Sequence, residues 1–392
     1  MNEIELIFKM LGIGILVILL LNNLYLLVFS LAAYFTKSKD VNSRRNNHEK
    51  YFLVIFPAYK EDQVILDSVS NFLRQEYSSF HLYVIADQLQ DETITALRKK
   101  RISVCVLPDS DKRNKANAIN YLLNNLNEPY DACVIMDADN HVEDNFLREM
   151  NGYFLSGSKA VQAQRTAKNK SNDLSKLDGI SENINNHIFR KGQRALGFSS
   201  SLIGSGMAFE MQLFKELMTE MNVFSGFDKE LELRLLSREI KIKYAEDILV
   251  YDEKVSDHKV FINQRRRWIY AQFFFLKKNI FNALKALVID RNADYANKVL
   301  QFILLPRSIC IGSSILMLMI TFIIGPIAIV AACVNLLMLS IALLLPLIKT
   351  YKTKDLFKLG LGFPRIFVNM IFAGATSGKA SGKFLHTPHN SK

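Results

Sequence analysis

Two aspartates two residues apart, Asp137 and Asp139 in "MDADN" (136–140), follow directly on an apolar run. Carboxylates that close repel unless a cation bridges them, and hard oxygen ligands with room left for a diphosphate suit Mg²⁺ or Mn²⁺. If the run is a strand, its period of two turns both side chains to one side of the ladder. The plain alternative is a solvated loop with two acids. A second cluster, "QRRRW" (264–268), sets the chain's one tryptophan beside three arginines. On a helix, Gln264, Arg267 and Trp268 fall at i, i+3 and i+4 and share a face, while Arg265 and Arg266 point elsewhere. Such a face is either a basic surface on anionic headgroups, with Trp268 at headgroup depth, or a shaped anion site. In the second case guanidinium and indole together hold a phosphate or a sugar ring.

Other polar residues sit where short apolar runs end. "PAYKE" (57–61) brings Pro57, Tyr59 and Glu61, and "ADQLQDET" (86–93) brings Asp87 and Asp91. The two aspartates either cap the following helix or, for Asp87, accept from a base N–H. Lys112, Arg113 and Lys115 open a helical pattern, as a solvated face or as neutralisers of phosphate. "GSGMAF" (204–209), with Gly206, is a turn that lets a ligand approach the backbone, or an ordinary loop before a helix around 209–218. In "GFDKELELRLLSREIKIKY" (226–244), Asp228 and Glu230 complement a helix dipole or supply a general base.

The elements that must position these groups are legible as patterns. "YFLVIF" (51–56), "HLYVIA" (81–86), "ISVCVL" (102–107) and "ACVIMD" (132–137) read as buried strands, and the segments between them carry apolar residues at helical spacing. The alternation predicts an α/β, Rossmann-like, mostly parallel sheet with helices on both faces, whose ligands bind beyond the carboxyl ends of the strands. No Gly-x-Gly-x-x-Gly follows a strand and no Gly-Lys-Ser/Thr occurs, which excludes nicotinamide-type and P-loop sites.

The 392 residues carry a formal charge of +11, but the basic residues gather beside apolar runs, so a membrane and not nucleic acid is the partner they imply. Residues 10–36 and 308–348 hold no charge, the second run broken by Gly325-Pro326. A bilayer core needs roughly 20 apolar residues per helix, giving one retained anchor in 1–36 and two spans in 299–349. Lys37, Lys39, Arg44 and Arg45 after the first span, and Lys349, Lys352 and Lys354 after the last, put both flanks in the cytoplasm by the positive-inside rule. Residues 37–298 then form a cytoplasmic domain, with an interfacial helix near 258–285. The tail 350–392 stays on the same side, its apolar segment 359–377 lying in the interface plane. Four cysteines without paired spacing imply neither disulfides nor a zinc site.

In order, "PAYKE", "ADQLQDET", "KRNKANAIN", "DAD", "GSGMAF", "DKELELRL" and "QRRRW" resemble the family 2 glycosyltransferases. These are the GT-A fold enzymes that include cellulose, chitin, hyaluronan and mannan synthases. The resemblance covers about residues 51–280. It implies a metal-dependent, inverting transfer of a sugar from a UDP-sugar to a growing polysaccharide or other glycan. Pro57, Tyr59, Glu61, Asp87, Lys115, Asp137 and Gly206 would surround the nucleotide sugar, Asp87 at the uracil. Asp137 and Asp139 would hold Mg²⁺ or Mn²⁺, with Asp139 as the direct ligand. Gln264, Arg267 and Trp268 match the Gln-x-x-Arg-Trp element of processive synthases, arginine at the leaving diphosphate and tryptophan at the acceptor sugar. The family's base motif is Glu-Asp, whereas this chain reads Asp228-Lys229-Glu230; register with the following "LEL" puts Glu230 on the base, and Asp228 is the alternative. The ending "KFLHTPHN" (383–390) resembles a Phe-x-x-Thr-Pro-Lys ending, with His389 for the lysine. Three spans are few for a polysaccharide channel, which calls for a homo-oligomer or an export partner. The rival readings are addition of one sugar to a lipid-linked acceptor and a membrane scaffold that binds nucleotide sugar without turnover.

Overall fold

The computed structural model describes residues 3–37, 48–108, 114–169, 172–221, 223, 225–348, 350–351, 354 and 363–380. The basic residues Lys39, Arg44, Arg45, Lys112, Arg113, Lys349 and Lys352, and the ending at 383–390, lie outside them.

The first half of the domain between the N-terminal apolar helix and the later apolar helices is built from parallel strands: β1 (Phe52–Tyr59), β2 (Phe80–Asp87), β3 (Ser103–Val106) and β4 (Ala132–Ile135). Crossover helices α2 (Ile65–Phe72), α3 (Asp91–Arg98) and α4 (Lys115–Asn124) connect them. β1 is buried along most of its length, as a parallel strand covered on both faces must be. Its side chains alternate. Leu53 and Ile55 pack with α4 and with α8 (Met211–Met218), while Phe52, Val54 and Phe56 pack with α2, α3 and α5 (Phe146–Leu155).

The second half departs from a simple parallel plan. β5 (His141–Val142), β6 (Ala160–Ala167), β7 (Met207–Glu210) and β8 (Ile242–Asp252) complete the order β3-β2-β1-β4-β7-β6-β8-β5. β7 runs antiparallel to both β4 and β6, and β5 antiparallel to β8, so the sheet is mixed. The stretch expected as a Gly-rich turn leading to a helix therefore supplies a central strand, and its helix starts only at Met211. Likewise 226–244 divides into α9 (Phe227–Ser237) and the start of β8. Between β6 and β7, α6 (Asp173–Asn185) continues through a π-helical turn, Asn186–Gly192, into α7 (Gln193–Ala195).

Among the described residues, three helices are long and apolar enough to cross a membrane: α1 (Glu3–Phe35), α12 (Arg307–Ile324) and α13 (Pro326–Leu344), the last two joined at Gly325. Buried amides tie them together. Asn23 donates to Asn335 Oδ1 (2.8 Å), Asn335 donates to Ser314 Oγ (2.9 Å), and Asn22 Oδ1 accepts from the Leu305 N–H (2.9 Å). Where no water competes, such bonds and close packing bring helices together. Between sheet and bundle run α10 (His258–Val288), started by an Asp257 cap on the N–H groups of Lys259 and Val260, and α11 (Ala293–Gln301). α14 (Phe363–Ala375) has 13 residues, about 20 Å of helix, and lies along α10 through Arg266 Nε, which donates to Thr376 Oγ1 (2.8 Å).

Candidate active site

A cavity of about 600 Å³ opens at the carboxyl ends of β1, β2 and β4. β1 delivers Pro57, Tyr59 and Glu61 to its wall, and β2 delivers Asp87. Just past these strands Lys60 and Gln88 take left-handed backbone angles (φ 56° and 58°), and the Lys60 N–H donates to the Asp87 carbonyl (3.1 Å). Non-glycine residues there store about 1 kcal/mol or more each, strain of the sort found where backbone is bent to face a ligand.

Asp137 and Asp139 also line the cavity, with a geometry that differs from the expected one. β4 ends at Ile135, so strand periodicity does not reach them and they do not share one side of a ladder. Asp137 accepts from the Lys115 ammonium (2.6 Å), which also donates to the Gly204 carbonyl (2.8 Å). Asp139 is buried and accepts from the Glu253 N–H (2.8 Å) and from Asn140 Nδ2 (3.2 Å). Among the described residues no three His, Cys, Asp or Glu side chains make a metal cage. A hard cation still fits this donor set: one or two carboxylates, with diphosphate and water completing the shell, is how Mg²⁺ is ordinarily held. Gly206 is not at the cavity wall. A Cβ there would meet Val250 Cγ2 at 2.7 Å, so its glycine serves sheet packing, and Gly204 is the residue that reaches the cavity.

Helix α9 sets Asp228 and Glu230 on different sides. Gly226, at φ +79°, precedes it so closely to α10 that a Cβ would lie 2.6 Å from Phe275 Cε2. This close approach turns the first residues of α9 to the cavity, where Asp228 and Lys229 stand. Two residues on, about 200° around a helix, Glu230 faces away. It accepts from Arg234 Nε (3.1 Å) and Lys278 Nζ (3.1 Å) and is not part of the wall. Of the two acids offered as the base, Asp228 is the one at the cavity wall.

On α10, Gln264, Arg267 and Trp268 line the cavity together, as their spacing requires. Gln264 Oε1 is buried without a hydrogen-bond partner among the described residues. Burial lowers the Arg267 pKa from its ordinary value, to which a guanidinium remains a cation at neutral pH. The other two arginines are not spare surface charge. Arg265 pairs with Asp178 of α6, and Arg266, besides its bond to Thr376, lies over the Phe372 ring (5.8 Å).

Sequence reasoning missed one wall altogether. Arg165 Nη2 donates to Glu182 Oε2 (2.8 Å), Arg190 Nη1 to Glu182 Oε1 (3.2 Å), and Lys254 Nζ to Asp252 Oδ2 (2.7 Å). Burial alone would raise the Glu182 pKa, but Arg165, Lys254 and Arg190 hold it well below the usual carboxylate range. Asp252 is lowered in the same way by Arg165 and Lys254 against its burial. The available signal was one charged residue, Arg165, inside the otherwise uncharged stretch "AVQAQRTA".

A family model described as Glycosyltransferase like family 2 matches residues 48–271. The poly-beta-1,6-N-acetyl-D-glucosamine synthase of Staphylococcus aureus strain COL is 24% identical over 275 residues, 67% of this chain. The chain spans 66% of that relative's length. Among solved structures, the mannosyltransferase PcManGT from Pyrobaculum calidifontis, in complex with GDP-Man and Mn²⁺, shares the fold at a TM-score of 0.57 and 14% identity. That match covers 95% of this chain and 99% of the other.

Proposed function

The chain belongs to glycosyltransferase family 2, and on that premise we propose that it moves a sugar from a UDP-sugar to a growing glycan at the cytoplasmic face of a membrane. The observation that carries this reading is a single cavity whose wall combines the acidic strand ends with the Gln264–Arg267–Trp268 face of α10. The transfer is a single displacement with inversion. Asp228 takes the proton of an acceptor hydroxyl as its oxygen bonds to the anomeric carbon, and the bond from that carbon to the diphosphate breaks. Arg267 donates to the departing UDP, a charge-assisted contact strengthened by its partial burial. Mg²⁺ or Mn²⁺, held by Asp137 and Asp139, would neutralise charge on the diphosphate. Lys115 holds Asp137 in place, and Asp87 accepts from the base. An unpartnered carbonyl such as Gln264 Oε1 carries a cost of about 1–3 kcal/mol, which a sugar hydroxyl removes by donating to it. The name of the S. aureus relative makes UDP-N-acetylglucosamine the first donor to try.

The test is UDP release from a panel of UDP- and GDP-sugars, with product length read on a gel. Long products support a polymerising enzyme, and single additions to a lipid acceptor would replace it with the rival reading. Donor binding without release from any sugar nucleotide would overturn transfer itself. For the topology, a cysteine placed at Lys37 should be shielded from an impermeant thiol reagent in intact cells, and labelling there would reverse the orientation.

A further inference from the structure

Arg265 is held in a way that the reaction above does not use. It donates through Nη2 to Asp178 Oδ1 of α6, and the two side chains are only 11% and 10% exposed. Its guanidinium lies 4.1 Å from the centre of the Trp268 ring and 4.7 Å from that of Phe261. Trp268, at the cavity wall, is itself 37% exposed, so a large part of the indole lacks neighbours that would hold its rotamer. A planar guanidinium on one ring face supplies that hold, and an ammonium on a flexible stem does not. One turn further along α6, Glu182 grips Arg165 and Arg190, which makes the helix carrying Asp178 a fixed support.

We propose that Arg265, anchored by Asp178, is a positioning residue that clamps the Trp268 ring as the platform for the acceptor sugar. The proposal rests on the reading of Trp268 as an acceptor contact. The clamp itself can be measured apart from that reading, because Trp268 is the one tryptophan in the chain and its fluorescence reports on this ring alone.

The experiment uses the full chain in lipid nanodiscs, with Trp268→Phe as the blank. Time-resolved anisotropy should show little sub-nanosecond depolarisation in the wild type and a clear fast component in Arg265→Lys. Asp178→Asn removes the same anchor by a milder change and should show the same component even where Arg265→Lys accumulates poorly. The exchanged pair Arg265→Asp with Asp178→Arg should regain thermal stability but not ring order, since no guanidinium then extends from position 265 over the indole. Turnover with UDP-N-acetylglucosamine should fall on the order of tenfold in Arg265→Lys, as for a misplaced substrate contact, with the donor KM unchanged. An unchanged anisotropy decay in both single variants overturns the clamp, as does ring order restored by the exchange. A loosened ring with full turnover overturns the positioning role. A wild-type chain that releases no UDP from any donor would sink the reaction proposed above, and the anisotropy would still decide the clamp.

Discussion

Exchanging Asp228 and Glu230 of α9 for their amides, one at a time, separates the two candidate bases. Asp228→Asn keeps shape and removes the proton acceptor from the cavity wall. Asp228 stands 3.9 Å from Lys229 Nζ, too loose a pair for its loss to unfold the domain. A positioned general base contributes on the order of 10²–10⁴ in rate, about 3–5 kcal/mol of barrier at 1.36 kcal/mol per tenfold, and the loss should appear in kcat with donor binding retained. Glu230→Gln does the reverse. It weakens contacts to Arg234 and Lys278, whose side chains are 29% and 49% exposed and stay hydrated without it. Solvent-screened pairs of that kind are worth about 0.2–1 kcal/mol each, so the expected result is a Tm lower by a few degrees and near-normal turnover. The assay is coupled UDP release with saturating metal and donor, alongside thermal unfolding of the same preparations. If Glu230→Gln loses turnover as severely as Asp228→Asn while its Tm holds, the assignment by geometry is wrong and the family register is right.

Three further outcomes follow from the site. Asp139→Asn, or chelation of the unmutated protein, should abolish UDP release with the fold intact by circular dichroism; full activity in excess chelator would remove the metal from the scheme. Arg267→Lys should cost on the order of a hundredfold in turnover, as for one lost transition-state donor, whereas Arg266→Lys, which is not among the residues lining the cavity, should cost little; equal small effects would return the arginines to a surface role. Glu182, with its folded pKa depressed, contributes stability that is complete above its ordinary titration range near pH 4.5 and is lost as pH falls toward the folded value. Glu182→Gln should therefore lower Tm at neutral pH and flatten its decline in acid, and parallel curves for mutant and wild type would contradict the pairing.

The parallel strands and the α10 face were legible because each is a local pattern: continuous apolar runs for β1 and β2, and a 3.6 period for Gln264, Arg267 and Trp268. What escaped depends on distant partners. Arg165 meets Asp252 only because β6 pairs with β8, a register that no local window contains. The sequence shows only that Arg265 points away from the Gln264–Arg267–Trp268 face, since Asp178, its partner 87 residues away, carries no mark in the sequence. The expectation for Asp137 and Asp139 carried strand periodicity past β4, whose register with β1 ends at Ile135 and whose last hydrogen bond to β1 comes from the Met136 N–H. The sequence register points to Glu230 as the base, whereas the helix turn brings Asp228, and not Glu230, to the cavity wall.

The amide bridge between α1 and α13 joins residues 312 positions apart. A ribosome working at about 5–20 residues per second needs roughly 15–60 s to travel from one to the other. Throughout that interval the first helix has been made and its Asn23 lacks the partner that α13 supplies. The sheet, whose strands all lie between α1 and α12, is synthesised in the same interval. The α1–α13 bridge therefore closes only after every strand of the sheet has been made: a chain cut short before Arg307 can still satisfy Asn22 through the Leu305 N–H, but its Asn23 amide lacks the Asn335 acceptor.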